Sequence, residues 1–316
     1  MLHYCHTETG NFGDDLNPWL WERLAPELCD PAAPGLFVGI GTLLSHDLPR
    51  EPIKFVFGSG CGYKAPPRLD DRWKIYAVRG PLTAARLGVD PTRAVTDPAL
   101  LVRRVAPPPP GKRHRVSFMP HHKSLDRADW RDLCARCGLH FIDPREPVEG
   151  VLGAVRESEL LLAEAMHGAV IADAFRVPWI PVRMYSQFLE FKWLDWTRSV
   201  GVECKFADVP PIFDEEPPWQ ARLRNAWKRG WYQCGLGKSK WGRLPLRRTG
   251  DQERDRILAV LAGLPATRQP CLSQEATLAR LEEQLLERLG QLRAEWIPAP
   301  NGRSLWRGHS CQWVST

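Results

Sequence analysis

The chain has 316 residues, 43% of them hydrophobic and 25% charged, which is the make-up of a globular protein large enough for two domains. Its N-terminus has neither a basic leader nor an apolar core of signal-peptide length, and no apolar run approaches the ~20 residues of a membrane span, so a cytoplasmic protein is expected. The net charge of +6 is modest but uneven, with nine Lys or Arg and no acidic residue between Trp219 and Arg248.

The first hundred residues read as strand–loop–helix units. Apolar segments at 36–40, 53–57 and 75–78 each run into a glycine-containing loop. Arg79-Gly80 leads to Pro81 at a first helical position, and Gly88 stops that helix after Leu87. A short strand is expected at 93–95. The prolines of 107–110 form a stiff connector. Alternation then resumes: strands at 115–119, 140–142, 160–163 and 179–182, with helices at 127–137, 148–157 and 168–175. The economical reading is α/β: two Rossmann-like lobes facing a central cleft, 1–106 and 112–214, followed by a basic and helical C-terminal extension over 215–316. Ligands in such lobes lie at the C-terminal ends of the strands.

Beyond Asp214, Leu278, Leu281, Leu285, Leu289 and Leu292 recur at helical spacing and predict a helix packed back on a lobe. No period is legible in 297–316. From Trp219, apolar positions at Leu223, Trp227, Trp231 and Cys234 alternate with Arg222, Arg224, Lys228 and Arg229, the pattern of an amphipathic helix. Three occupants suit its apolar face: the inner leaflet of an anionic membrane, the protein's own lobes, or an anionic polymer. The nine cysteines form no framework, and Cys134-x-x-Cys137 reads as two helix-borne thiols.

Five strand-end loops are rich in polar groups: 10–15, 58–62, 78–80, 120–123 and 164–168. Each has a purely structural alternative, such as Asp14 or Asp15 capping a helix through Leu24, or Arg79 in a structural ion pair. Their convergence at strand ends favours a site for a small, multiply charged anion. Helix N-termini offer N–H groups and a positive dipole end. Arg79 offers a planar fork, and His121, His122 and Lys123 offer up to three more cationic donors.

Seven ordered stretches carry a resemblance: Gly10-Asn-Phe-Gly-Asp-Asp-Leu-Asn-Pro-Trp-Leu20, Gly39-Ile-Gly-Thr-Leu43, Phe57-Gly-Ser-Gly60, Val78-Arg-Gly-Pro-Leu-Thr83, Thr96-Asp-Pro-Ala-Leu100, Phe118-Met-Pro-His121 and Ala163-Glu-Ala-Met-His-Gly-Ala169. Over roughly residues 1–185 the chain resembles the polysaccharide pyruvyltransferase family, in its branch acting on succinoglycan- and xanthan-type exopolysaccharides. The resemblance implies a fold like that of two-lobed GT-B glycosyltransferases. It implies phosphoenolpyruvate as donor and a saccharide acceptor assembled on a lipid at the inner leaflet, with no metal or other cofactor; no DNA- or RNA-reading motif appears, so no nucleic-acid partner is expected. His167 matches the family's general acid and Arg79 its donor-binding arginine. Asp14 and Asp15 are candidate bases. Ser59, His121, His122, Lys123 and Met166 are candidate donor contacts, and Asn11, Asp97 and Glu164 candidate acceptor contacts. Many members carry Arg two residues before the histidine, where this chain has Ala165, so His121, His122 or Lys123 is expected to substitute. The rival on the same architecture is a nucleotide-sugar glycosyltransferase, with the 58–62 loop at the diphosphate.

Overall fold

The computed structural model describes residues 1–33, 35–108, 111–236 and 238–296. Part of the proline connector and the unpatterned stretch 297–316 lie outside the described residues. Two all-parallel sheets organise the chain. The first has four strands in the order β1 (Leu2–His3), β2 (Gly35–Val38), β3 (Ile53–Phe57) and β4 (Trp73–Ala77). Helix α1 (Phe12–Leu24) follows β1, and α2 (Pro81–Leu87) follows β4, ending as expected on Gly88 in the left-handed region. The expected strand at 93–95 is instead a short 3-10 turn, Pro91–Arg93, with one isolated bridge from Val78 to Ala94. A second turn, Pro98–Leu101, leads into the short helix α3 (Val102–Val105).

The second sheet has five strands in the order β6-β5-β7-β8-β9, with β5 Ser117–Met119, β6 His140–Phe141, β7 Leu161–Ala163, β8 Trp179–Arg183 and β9 Ala207–Asp208. Its helices are α4 (Trp130–Arg136), α5 (Val148–Glu157), α6 (Met166–Ala174) and α7 (Glu190–Ser199). Strands this short, buried on both faces, need helices on each side to cover them. Cys134 and Cys137 sit on α4 and its C-cap as free thiols.

Two helix starts differ from expectation, and both matter. Helix α1 begins at Phe12 and α6 at Met166, earlier than hydrophobic periodicity indicates. Asp14 and His167 therefore stand in the first helical turn rather than in the preceding loop.

The two sheets share a core. One buried apolar cluster runs from Phe12, Leu16 and Leu20 on α1 through Met119, Met166 and Val170 to Trp179, Trp193 and Trp196. Three further helices follow: α8 (Trp219–Gln233), α9 (Asp251–Thr267) and α10 (Glu275–Glu295). Two of them divide between the lobes. Helix α9 places Ile257, Leu258, Leu261 and Leu264 in the core of the second lobe. Helix α10 returns to the first, where Leu278, Leu281, Leu285, Leu289 and Leu292 are all buried and the Trp296 indole donates to Glu27 O at 3.1 Å. Helix α8 joins neither core. Trp219, Leu223, Trp227 and Trp231 stay 43–64% exposed, so packing of this face on the lobes is ruled out among the described residues. No described helix is long and apolar enough to cross a membrane.

Leu285→Ala tests whether α10 belongs to the first lobe's core. Removing this fully buried side chain should cost about 2–5 kcal/mol, seen as a lower urea midpoint at unchanged slope. A loss within ~0.5 kcal/mol would mean α10 is only loosely laid on the sheet.

Candidate active site

Strand C-termini of both sheets open on one cleft of about 340 Å³. The first lobe lines it with Cys5, Thr7, the α1 N-terminus from Asn11 to Asp14, the 41–43 loop and Tyr63. The second lobe brings Met119, His121, His122, Lys123, Pro144, Ala165, Met166, His167, Gln187 and Lys192. This is the crevice where parallel sheets hold their ligands.

His167 stands on the first turn of α6, whose N-cap Ala165 makes no side-chain capping bond. Its ring packs closely on α1 at Gly13. A Cβ on Gly13 would come within 2.2 Å of His167 Nδ1, so glycine there is a requirement of close approach. On the other edge, Nε2 lies 3.5 Å from Asp97 Oδ2, and both atoms are buried without a closer partner. Asp97 is fully buried and uses Oδ1 to cap the turn at Ala99 N, 3.0 Å away. It therefore backs the imidazole from behind, and the acceptor contact expected of it is corrected: its carboxylate is sealed from the cleft.

The two α1 carboxylates separate by role. Asp15 accepts the Asn11 N–H at 2.9 Å, a capping bond at the helix start. Asp14 faces the cleft, bonded to the Asn11 side-chain amide. Burial pushes its carboxyl up to about 6, only partly offset by nearby His167, the Asn11 bond and Lys192.

Arg79 is the largest departure from expectation. Its side chain is wholly buried, and four bonds engage the guanidinium inside the protein: Nε to Asp195 Oδ2 (3.1 Å), Nη1 to Thr42 Oγ1 (2.8 Å) and to Gly41 O (3.4 Å), and Nη2 to Cys61 O (3.0 Å). No fork is left for an anion, so Arg79 shapes the 41–43 loop rather than lining the cleft. Ser59 does the same work from below, donating to Gly41 O and accepting the Leu43 N–H.

The His-His-Lys run lies in the cleft, but with fewer charges than three. His121 Nδ1 accepts the Lys123 N–H at 3.3 Å, which leaves its proton on Nε2. Burial, then Lys192 and the adjoining cations, holds His121 well below the ordinary imidazole range; burial and then Lys123 bring His122 to about 4. Both are neutral donors at neutral pH. Glu164, expected at the acceptor, is buried behind this loop. Its Oε2 accepts the His121 N–H (3.0 Å) and the Ser124 hydroxyl (2.6 Å), and Gln187 donates to Ser124 Oγ (2.9 Å). Met166 contributes an apolar wall and is 2% exposed.

Sequence reasoning missed Lys192, Asp195, Tyr63 and Gln187. Lys192 lies on α7, an element with no legible start signal, and its Nζ is 3.4 Å from Tyr63 Oη. Nothing in the local pattern Glu190-Phe-Lys-Trp-Leu-Asp-Trp196 separates a cleft lysine from a solvated one.

Glu164 supports a test of this electrostatic picture. Burial raises its carboxyl to about 7 from an ordinary value near 4.5. The folded chain thus binds this proton more tightly than the unfolded one, and the group's contribution to stability falls as pH rises through that window. Glu164→Gln keeps an oxygen for His121 N and Ser124 Oγ but removes the titration. Its stability relative to wild type should climb between pH 5 and 8, by roughly 3 kcal/mol at most. Urea melts across that range read it directly, and a difference that stays flat would show Glu164 ionised and well solvated.

Comparison with known proteins completes the description. A family model described as polysaccharide pyruvyl transferase matches residues 68–184, from the approach to β4 to the end of β8. The chain is also 43% identical over 213 residues to ExoV, a succinoglycan biosynthesis protein of Rhizobium meliloti (strain 1021), over 66% of this chain and 67% of that protein. No solved structure matches it. The matched region holds Asp97, His121, Glu164 and His167, and with the identity to ExoV it establishes that this chain belongs to the polysaccharide pyruvyl transferase family of transferase enzymes.

Proposed function

We propose that this enzyme moves the pyruvyl group of phosphoenolpyruvate onto two hydroxyls of one sugar, releasing inorganic phosphate and leaving a cyclic ketal. The observation that carries the reading is the His167 imidazole, backed at Nε2 by the sealed Asp97 carboxylate, in the wall of a cleft that also holds Lys123, Lys192 and two neutral imidazole donors. The two sheets are read as the facing lobes of a GT-B-like transferase, 1–106 and 112–214. The acceptor is an exopolysaccharide or its lipid-linked precursor, in keeping with the role named for ExoV.

In this mechanism Asp97 stabilises the imidazolium and orients its ring, and the imidazolium delivers the proton. The proton goes to the methylene carbon of the enol phosphate, which becomes a methyl group, and C2 takes on cationic character. A sugar hydroxyl attacks C2 and its proton passes to Asp14, whose carboxyl near 6 suits a base at neutral pH. The C2–O bond to phosphate then breaks with its electron pair on the phosphate. A second hydroxyl of the same sugar closes the ketal, and its proton leaves with the phosphate. The proton held by Asp14 restores the imidazolium, and the cycle balances. Lys192 supplies the cation that Ala165 does not, with Lys123 beside it, and Arg79 acts through the 41–43 loop.

Incubation with phosphoenolpyruvate and a panel of pyranosides should release phosphate and add one pyruvylidene to the sugar. Phosphate-free turnover of a nucleotide sugar would instead sustain the glycosyltransferase reading. His167→Ala should lose about 100-fold or more in kcat with donor binding kept, whereas Lys192→Ala should act mainly on the KM for phosphoenolpyruvate. Near-wild-type ketal formation by His167→Ala would end the assignment of the acid.

A further inference from the structure

Helix α8 is mounted backwards. An amphipathic helix of a globular protein ordinarily turns its apolar stripe to the core and its polar face to water. Here the polar face is the attached one. Asn225 is 5% exposed and donates to Pro245 O at 2.9 Å, and Arg229 donates to Leu244 O at 3.3 Å. The opposite face carries Trp219, Leu223, Trp227 and Trp231, exposed by 64, 63, 58 and 43%. The Trp227 and Trp231 rings lie 5.1 Å apart and form one continuous apolar strip. Among the described residues nothing covers it.

The charges around the strip say what does. On a helical wheel Arg222 borders one edge, and Arg224 and Lys228 border the other. Not one acidic side chain lies between residues 219 and 248. A strip of tryptophans at the level of flanking cations matches the layering of an anionic bilayer, with apolar matter beneath and phosphates at the rim. A second copy of this chain would bring the same cations against themselves, and a soluble polyanion offers nothing to the indoles. We infer that α8 docks this enzyme on the surface of an anionic lipid bilayer through Trp219, Leu223, Trp227 and Trp231.

The attached side of α8 adds a consequence. Ala221, Arg224 and Asn225 line a cavity of about 300 Å³ whose wall includes Gln187, and Gln187 also lines the reaction cleft. A bilayer under α8 therefore lies beside a cavity that shares Gln187 with the reaction cleft. Docking itself stands on the surface of α8 alone and does not depend on the pyruvyl-transfer reading.

The test is co-sedimentation of the full chain with vesicles of phosphatidylcholine, alone or with added phosphatidylglycerol, with no donor or acceptor present. Its outcome is thus separate from that of the transfer assay. Wild type should partition onto the anionic vesicles only, and less as salt rises, since each Lys or Arg near such a surface adds roughly fivefold. Trp227→Ala/Trp231→Ala should weaken partitioning by about tenfold or more. Arg222→Glu/Arg224→Glu should weaken it comparably, with circular dichroism unchanged in both. Three results would overturn the proposal: equal partition onto neutral and anionic vesicles, variants that bind as wild type does, or a wild-type dimer by light scattering that the tryptophan variant converts to monomer.

Discussion

One guanidinium, sealed from water, ties the end of the first sheet to a helix that follows the second. Arg79 comes from the end of β4, and Asp195 from a helix that follows β8, yet their charges meet at 3.1 Å with neither side chain exposed. Burying such a pair is costly unless every remaining donor and acceptor is used. Here every nitrogen and oxygen of the pair has a partner: Arg79 takes Thr42, Gly41 and Cys61, while Asp195 accepts from both the backbone N–H and the hydroxyl of Thr83. The glycines make the approach feasible. A Cβ at Gly60 would stand 2.3 Å from Arg79 Cζ, and one at Gly80 would stand 2.0 Å from Asp195 O. The pair therefore sets where the 41–43 loop lies. It also fixes α7, which carries Lys192 one turn before Asp195. A cation of the cleft is positioned by an ion pair that never touches the cleft.

The periodic elements were readable because alternation of apolar segments with glycine loops is a local signal. Helix α5 falls at Val148–Glu157, where the pattern puts it, and α10 buries the five leucines that its spacing selects. What local pattern does not carry is the partner of a polar group. Arg79 has the chemistry of an anion fork in any sequence; only the fold shows that Asp195, 116 positions away, occupies it. The same holds for Asp97 and Glu164, whose carboxylates turn inward to His167 and to the 121–124 loop. Asp14 and Asp15 were indistinguishable as neighbours in sequence, because a rotation of one residue along a helix decides which faces the cleft and which caps the end. Helix α8 inverts the lesson: its amphipathic pattern was plain, but the usual inference of which face is inside has the wrong sign here.

The cleft holds less fixed charge than a count of its residues implies, and this bears on how it can take an anion. Lys123 and Lys192 are its cations. His121 and His122 are kept neutral by burial and by those same lysines, and Asp14 is held part-protonated by burial. Two imidazolium groups beside two ammoniums would repel one another; neutral imidazoles remove that cost while keeping their N–H donors. The trianion proposed as donor would oppose the lysines' influence on the histidines, because it offers a counter-charge at contact. Proton affinity in the cleft would then rise on its binding, and by linkage its binding would strengthen as protons become available. Such coupling would suit the pyruvyl transfer proposed above, whose first step protonates carbon.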